Sequence, residues 1–204
     1  MADLLAEIRT FEGNMMNYAE IKYCDIANGE GVRTTLFVSG CSHHCKNCFQ
    51  PETWSFSYGE AFTDEVAAKI IQSLDGPFVD GVTLLGGEPM EPENQRALLP
   101  FVKALKQVHP QKSVWCYTGD VFEDLMNSAS NRHTEATEEL MGLIDVLVDG
   151  PFIEAEHDIS LRFRGSRNQR IIDVQKTLQT GEINLWNDDS HYATHSWVES
   201  GVSI

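Results

Sequence analysis

Cys41, Cys45 and Cys48, spaced C-x-x-x-C-x-x-C, are the residues of this chain best suited to hold a metal centre. Thiolates bind iron–sulfur clusters, and a cubic [4Fe-4S] cluster is ordinarily held by four of them. Three thiolates in one loop therefore leave one iron open to a ligand that is not protein, which suits catalysis better than electron storage. Zinc is the alternative, since three cysteines and a histidine make a tetrahedral set. His43 and His44 sit inside the loop itself, where coordination to the same ion is strained, although a histidine from elsewhere can complete the set. Spacing favours the cluster. The chain has five cysteines, an odd number with three crowded together, which argues against a disulfide scaffold and for a reducing compartment. Cys24 and Cys116 lie in apolar, β-prone surroundings and read as small buried hydrophobes.

The elements around the loop repeat one pattern. The β-prone run Val32 to Val38 leads through Ser39 and Gly40 into the cysteines, and Thr63 to Leu74 reads as a helix with Val66, Ala67, Ile70 and Ile71 on one face. Gly81 to Leu85 is a short apolar strand ending in Gly86-Gly87-Glu88-Pro89, followed by a helical pattern over Asn94 to Val108. Ser113 to Tyr117 is a third strand before Thr118-Gly119, with a helix beginning over Val121 to Met126. Ile144 to Val148 is a fourth, before Asp149-Gly150-Pro151, and Ile171 to Val174 a fifth. Alternating strands and helices predict an α/β fold with a parallel sheet, whose sites form at the C-terminal ends of its strands. Every glycine-rich or cysteine-rich turn falls at such an end, so the four turns make one candidate site.

Size and charge bound the architecture. A closed eight-stranded β/α barrel takes about 250 residues, and this chain has 204. A barrel built from it is incomplete and open on one side, which favours a large substrate. The net charge of -16 disfavours broad nucleic-acid binding. Neither a membrane span nor a secretory signal is evident, so a cytoplasmic protein is expected. Residues 1–15 read as an amphipathic leader, and 179–204 as an acidic tail in which His191 and His195 are expected to be solvated. Arg162, Arg164, Arg167 and Arg170 form the one dense basic run, either a solvated face or a docking site for an acidic electron donor or partner enzyme.

The stretch Gly40 to Phe49 resembles the cluster-binding signature of the radical S-adenosylmethionine superfamily. Most of that superfamily has an aromatic residue before the third cysteine, whereas Asn47 stands there in this chain and Phe49 follows the cysteine. One subfamily shares this departure, the anaerobic ribonucleoside-triphosphate reductase activating proteins. The segments Asp25 to Gly31, Thr35 to Cys41, Leu85 to Pro89, Val114 to Gly119, Val146 to Phe152 and Arg164 to Arg170 closely resemble that family, in order, over residues 16–178.

The resemblance implies a fold, a cofactor pair and a reaction. The fold is an incomplete, open (β/α) barrel of the radical S-adenosylmethionine type. One [4Fe-4S] cluster per chain is held by Cys41, Cys45 and Cys48, and its vacant iron is chelated by S-adenosylmethionine. One electron from the cluster breaks the sulfonium bond to the 5′ carbon, giving methionine and a 5′-deoxyadenosyl radical. That radical takes hydrogen from a glycine of the anaerobic reductase, leaving a glycyl radical. Implied partners are the reductase, in a two-plus-two heterotetramer, and a flavodoxin-like reductant. Asn47, Cys48 and Phe49 are expected on the adenine side, although Phe49 reads equally well as core. Gly87 is expected to approach the methionyl end through its bare backbone, Glu88 to accept from the cofactor's ammonium, and Thr118 to reach the ribose. Rival readings are an enzyme of the same superfamily acting on another glycyl-radical protein or a small molecule, and a non-enzymatic iron–sulfur or zinc module.

Overall fold

A computed structural model describes residues 16–186. The expected leader and most of the expected acidic tail, His191 and His195 included, lie outside the described residues. Seven strands form one sheet: β1 (Asn17–Asp25), β2 (Arg33–Val38), β3 (Glu60–Ala61), β4 (Gly81–Gly86), β5 (Ser113–Tyr117), β6 (Val146–Asp149) and β7 (Arg170–Asp173). Their spatial order is β3-β1-β2-β4-β5-β6-β7. Five helices accompany them: α1 (Asp64–Ser73), α2 (Pro92–Val108), α3 (Phe122–Met126), α4 (Thr137–Leu143) and α5 (Val174–Thr180). None is long and apolar enough to cross a membrane.

The sheet is mixed and open. β2, β4, β5 and β6 run parallel, with helices in the crossovers between β2 and β4, β4 and β5, and β5 and β6. β1 and β7 correct the expectation of parallel strands throughout. β7 pairs antiparallel with β6 from Val146↔Asp173 to Asp149↔Arg170. A parallel connection needs a crossover, usually a helix, and the described segment 150–169 contains no helix longer than a three-residue 3-10 turn, Glu154–Glu156. The chain therefore returns beside the strand it has just left. β1 pairs antiparallel with β2 across two register breaks, between Tyr18 and Glu20 and between Lys22 and Asp25. Bulges of this kind interrupt strict alternation, which is why Asn17–Asp25 does not read as a strand. Cys24 falls in the second break at φ 56° and is exposed, so it is not a buried hydrophobe; Cys116 is one.

Alternating side chains give the sheet two faces. Leu36, Val38, Val82, Leu84, Val114, Cys116, Leu147 and Ile172 join Ile70, Ile71, Leu98, Phe101, Leu105 and Met141 in the main core under the helices. On the other face Trp115, Val146, Val148 and Ile171 form a smaller cluster, covered by Phe163 and Trp186. The helices start where local chemistry allows. Thr63 caps α1 by accepting the Val66 N–H, with Asp64 and Glu65 at the positive end of the helix dipole. Pro92 opens α2, where no amide partner is lost.

Candidate active site

The cysteine loop leaves the end of β2 and closes on itself. The Gly40 N–H donates to the Thr53 carbonyl at 2.8 Å and the Cys41 N–H to that of Trp54 at 3.2 Å, so the neck is pinned by backbone bonds. Inside the loop His44 and Asn47 adopt φ 49° and 60°. Left-handed backbone disfavours most side chains and suits Asn and His best, which gives Asn47 a local reason to replace an aromatic residue. These reversals turn the chain so that Cys41, Cys45 and Cys48 line one cavity.

The other three turns line the same cavity, through Gly86, Gly87 and Glu88 after β4, Thr118 and Gly119 after β5, and Gly150 after β6. Gly87 is where two turns stack. Its N–H donates to the Val38 carbonyl at 2.7 Å, and the Glu88 N–H donates to that of Gly40 at 2.8 Å. A Cβ on Gly87 would lie 2.6 Å from the Gly40 oxygen and 2.9 Å from that of Thr53. Any larger residue there would push the cysteine loop away.

Glu88 is fully buried, at 1% exposure. One carboxylate oxygen accepts from the Met90 N–H at 2.8 Å; the other accepts from the Gly119 N–H at 2.7 Å and pairs with His43 Nε2 at 2.9 Å. Glu88 thus joins the cysteine loop, the β4 turn and the β5 turn. Hydrogen bonding to Asp120 and to Glu88 pushes the His43 pKa up to about 10, against the pull of burial. Thr118 is buried at the cavity wall, and its hydroxyl accepts from the Asp120 N–H at 3.1 Å.

Two expected residues are not part of the cavity lining. Asn47 Nδ2 donates to Glu154 at 2.5 Å, and Lys46 pairs with the same carboxylate at 3.0 Å, tying the loop to the segment after β6. Phe49 is 97% exposed, which overturns its reading as core; neither Asn47 nor Phe49 lines the cavity. The basic run is not one charged face. Arg170 is held by buried Asp149 at 2.5 Å and by Glu123 at 2.6 Å, Arg167 by Asp158 at 2.9 Å, and Arg164 donates to the Gln169 carbonyl at 2.9 Å. Trp54, Tyr117, Phe152 and Gln169 also line the cavity and carried no sequence signal beyond lying in or near the motifs. Asp120 and Glu91, each one to three residues beyond a recognised turn, were legible only as neighbours of those turns.

The donor set fits an iron–sulfur cluster. None of the three cysteines is in a disulfide. Burial pushes the Cys41 thiol up to about 11, while the backbone N–H groups of His43 and His44 aim at its sulfur and favour the thiolate. A buried sulfur met by amide donors gains a compensating charge when it binds iron, and such N–H groups are among the features that tune clusters. Among the described residues, the cysteine sulfurs are not among the ligand groups that converge within 4.8 Å, so they do not close on a single ion.

Comparison with known proteins places this geometry in context. A family model described as a 4Fe-4S single cluster domain matches residues 27–172, so the zinc alternative is set aside. The chain is 42% identical over 158 residues to a protein of Pasteurella multocida, covering 76% of this chain and 96% of the relative. It is 38% identical over 156 residues to a protein of Escherichia coli K12, covering 76% and 96%, and 35% identical over 156 residues to one of bacteriophage T4, covering 76% and 93%. All three are named anaerobic ribonucleoside-triphosphate reductase-activating protein.

Proposed function

Because the chain belongs to the family of anaerobic ribonucleoside-triphosphate reductase-activating proteins and carries a 4Fe-4S single cluster domain, we propose that it is a radical S-adenosylmethionine enzyme that installs a glycyl radical in the anaerobic reductase. Cys41, Cys45 and Cys48 would hold the cluster, and the turn at Gly87 and Glu88 would stand beside S-adenosylmethionine. When bound, this pair supplies one-electron cleavage of the sulfonium to a 5′-deoxyadenosyl radical able to take hydrogen from a glycine. The protein's task is then position and exclusion of water, because the cofactors carry the chemistry.

The chain's own residues fit that task. Cys41 is held under the loop neck while the Gly87 turn packs against it. Glu88, with both oxygens committed to Met90, Gly119 and His43, fixes the distance between the cysteine loop and the β5 turn, and Thr118 stands at the ribose side. The sheet serves as the wall of an incomplete (β/α) barrel spanning residues 16–178, and the reductase glycine approaches from the uncovered side, so that the partner completes the water-excluding wall. A two-plus-two complex, a flavodoxin-like reductant and a cytoplasmic location complete the reading. What supports it most is the convergence of three cysteines and three other strand-end turns on one cavity.

Electron paramagnetic resonance of the anaerobic protein mixed with reductant, S-adenosylmethionine and reductase tests the reading. A doublet from a carbon-centred glycyl radical on the reductase is expected, with about four irons and four sulfides per activating chain. Cofactor cleavage without that signal would move the substrate to another protein or a small molecule, and absence of sulfide would end the reading.

A further inference from the structure

Arg132 lies between α3 and α4, ninety residues from the cysteine loop in sequence, yet its side chain is mostly buried against that loop. Nη2 donates to Ser42 Oγ at 3.0 Å and lies 3.4 Å from His43 Nε2. Nη1 pairs with Glu91, and Nε lies 3.1 Å from Asp120. Glu91 in turn accepts from both the N–H and the hydroxyl of Ser42, each at 2.7 Å. The segment that carries the arginine is itself anchored, since Gln95 of α2 donates to the Arg132 carbonyl at 2.8 Å. Glu88 and Asp120 converge on His43, with the three side chains' polar atoms within 4.8 Å of one another, and the guanidinium beside them brings positive charge to both carboxylates. Ser42 and His43, the two residues immediately after the first cysteine, are thereby held by side chains from three other segments.

We propose that Arg132 is a positioning residue for the iron–sulfur cluster, acting through Ser42, Glu91 and Asp120 to hold the backbone between Cys41 and Cys45 ready for metal. The inference rests on the reading that these cysteines carry the cluster. A planar guanidinium offers several fixed N–H directions at once, and here they reach Ser42 and Glu91 while Nε stands in ion-pair distance of Asp120; an ammonium on a flexible stem offers a point charge instead. Arg132 also brings one positive charge to three carboxylates. Without it the site gains negative charge next to the cluster, which disfavours the added electron and lowers the reduction potential. Lysine separates the two roles, keeping the charge and losing the fork.

The test is the rate at which reconstituted, anaerobic full-length protein gives up iron to a ferrous chelator, together with the cluster's reduction potential. Arg132→Met is expected to lose iron about tenfold faster or more, and Arg132→Lys and Ser42→Ala about threefold faster, in line with loss of charge-assisted hydrogen bonds. The potential falls in Arg132→Met and stays at the wild-type value in Arg132→Lys. Ser42→Ala removes one hydroxyl and keeps the test valid should the arginine variants fold poorly. Lys106→Met is the control: it breaks a 2.7 Å pair with Asp145 at the start of β6, the end remote from the loop. That variant is expected to unfold more easily while retaining iron as the wild type does. Iron retention unchanged in Ser42→Ala and both Arg132 variants, or equally fast loss from Lys106→Met, would overturn the inference alone. A wild-type protein without iron and sulfide would overturn it together with the reading beneath it.

Discussion

Two arginines lie at opposite ends of the same parallel strands, Arg33 buried and Arg132 largely so, and they are partnered in opposite ways. Arg33, at the N-terminal ends, is 1% exposed and meets only neutral oxygens: Nε donates to Thr83 Oγ1 at 2.7 Å, Nη1 to the Glu30 carbonyl and Ser113 Oγ, and Nη2 to the carbonyls of Val82 and Ser113. Trp115 lies under its guanidinium at 5.5 Å. Burial pulls its pKa down to about 10, which still leaves it charged at neutral pH. Arg132, at the C-terminal ends, also feels burial, but hydrogen bonding to Glu91 and the charges of Asp120, Glu91 and Glu88 outweigh it and raise its pKa. Carbonyls in two neighbouring strands and a loop make a rigid cross-link whose geometry is set by the backbone. Carboxylates from separate turns make an ionic network around a place where charge is to change. One end of the sheet is built to hold the fold, the other to hold a metal centre.

The largest effect expected from breaking this contrast is at the cysteines. Cys41→Ala should abolish cluster assembly and glycyl-radical formation, while the cluster-free protein unfolds within about 1 kcal/mol of the wild type, because one small buried side chain is shortened. Iron and sulfide analysis beside urea unfolding of the cluster-free protein checks both halves. A cluster still assembled in this variant would break the three-thiolate reading. A collapse of stability would erase the distinction between the ends.

Arg33→Met is the converse and comes next in size. It removes five hydrogen bonds and strands buried acceptors on three segments, so a loss of about 3–5 kcal/mol in urea unfolding is expected. Any cysteine loop that survives should still take up iron when the protein is folded at low temperature. A loss under about 1 kcal/mol would mean that the hydroxyls and carbonyls find water as readily as they found the arginine.

How much of this was legible in the sequence follows from how local each signal is. The cysteine spacing, Gly86-Gly87-Glu88-Pro89 and Thr118-Gly119 are written within a few residues, and each falls at a strand end on the cavity. The helices over Asp64–Ser73 and Pro92–Val108 show their period directly, and Thr63 marks its own cap. Arg132 is invisible by the same logic, since its partners Ser42, Glu91 and Asp120 belong to other turns and no short pattern joins them. The direction of β7 was hidden because a strand's sequence says nothing of which way its neighbour runs; only the missing crossover helix in 150–169 decides it. Phe49 is ambiguous in sequence between core and site because an aromatic residue looks the same in either place until its surroundings are known.

The smallest expected effect tests a pair of exposed rings, one at each end. Phe49, in the cysteine loop, is 97% exposed, and Phe78, just before β4 at the Arg33 end, is 61% exposed. Leaving a phenylalanine in water forfeits about 1.5–3 kcal/mol of burial, so a ring kept bare beside a cofactor site is available to a ligand or a partner, whereas the Phe78 ring lies beside Gly76 at the end of the sheet away from the cysteines. Neither Phe49→Ala nor Phe78→Ala should change unfolding by more than about 0.5 kcal/mol. If Phe49 faces the adenine, its loss should raise KM for S-adenosylmethionine about three- to tenfold, the range expected for one aromatic contact, with the affinity for reductase unchanged. Weaker reductase binding at constant KM would instead make the ring part of the docking face. Phe78→Ala should move neither quantity, and a shift in KM from that end would show that the two ends of the sheet are coupled after all.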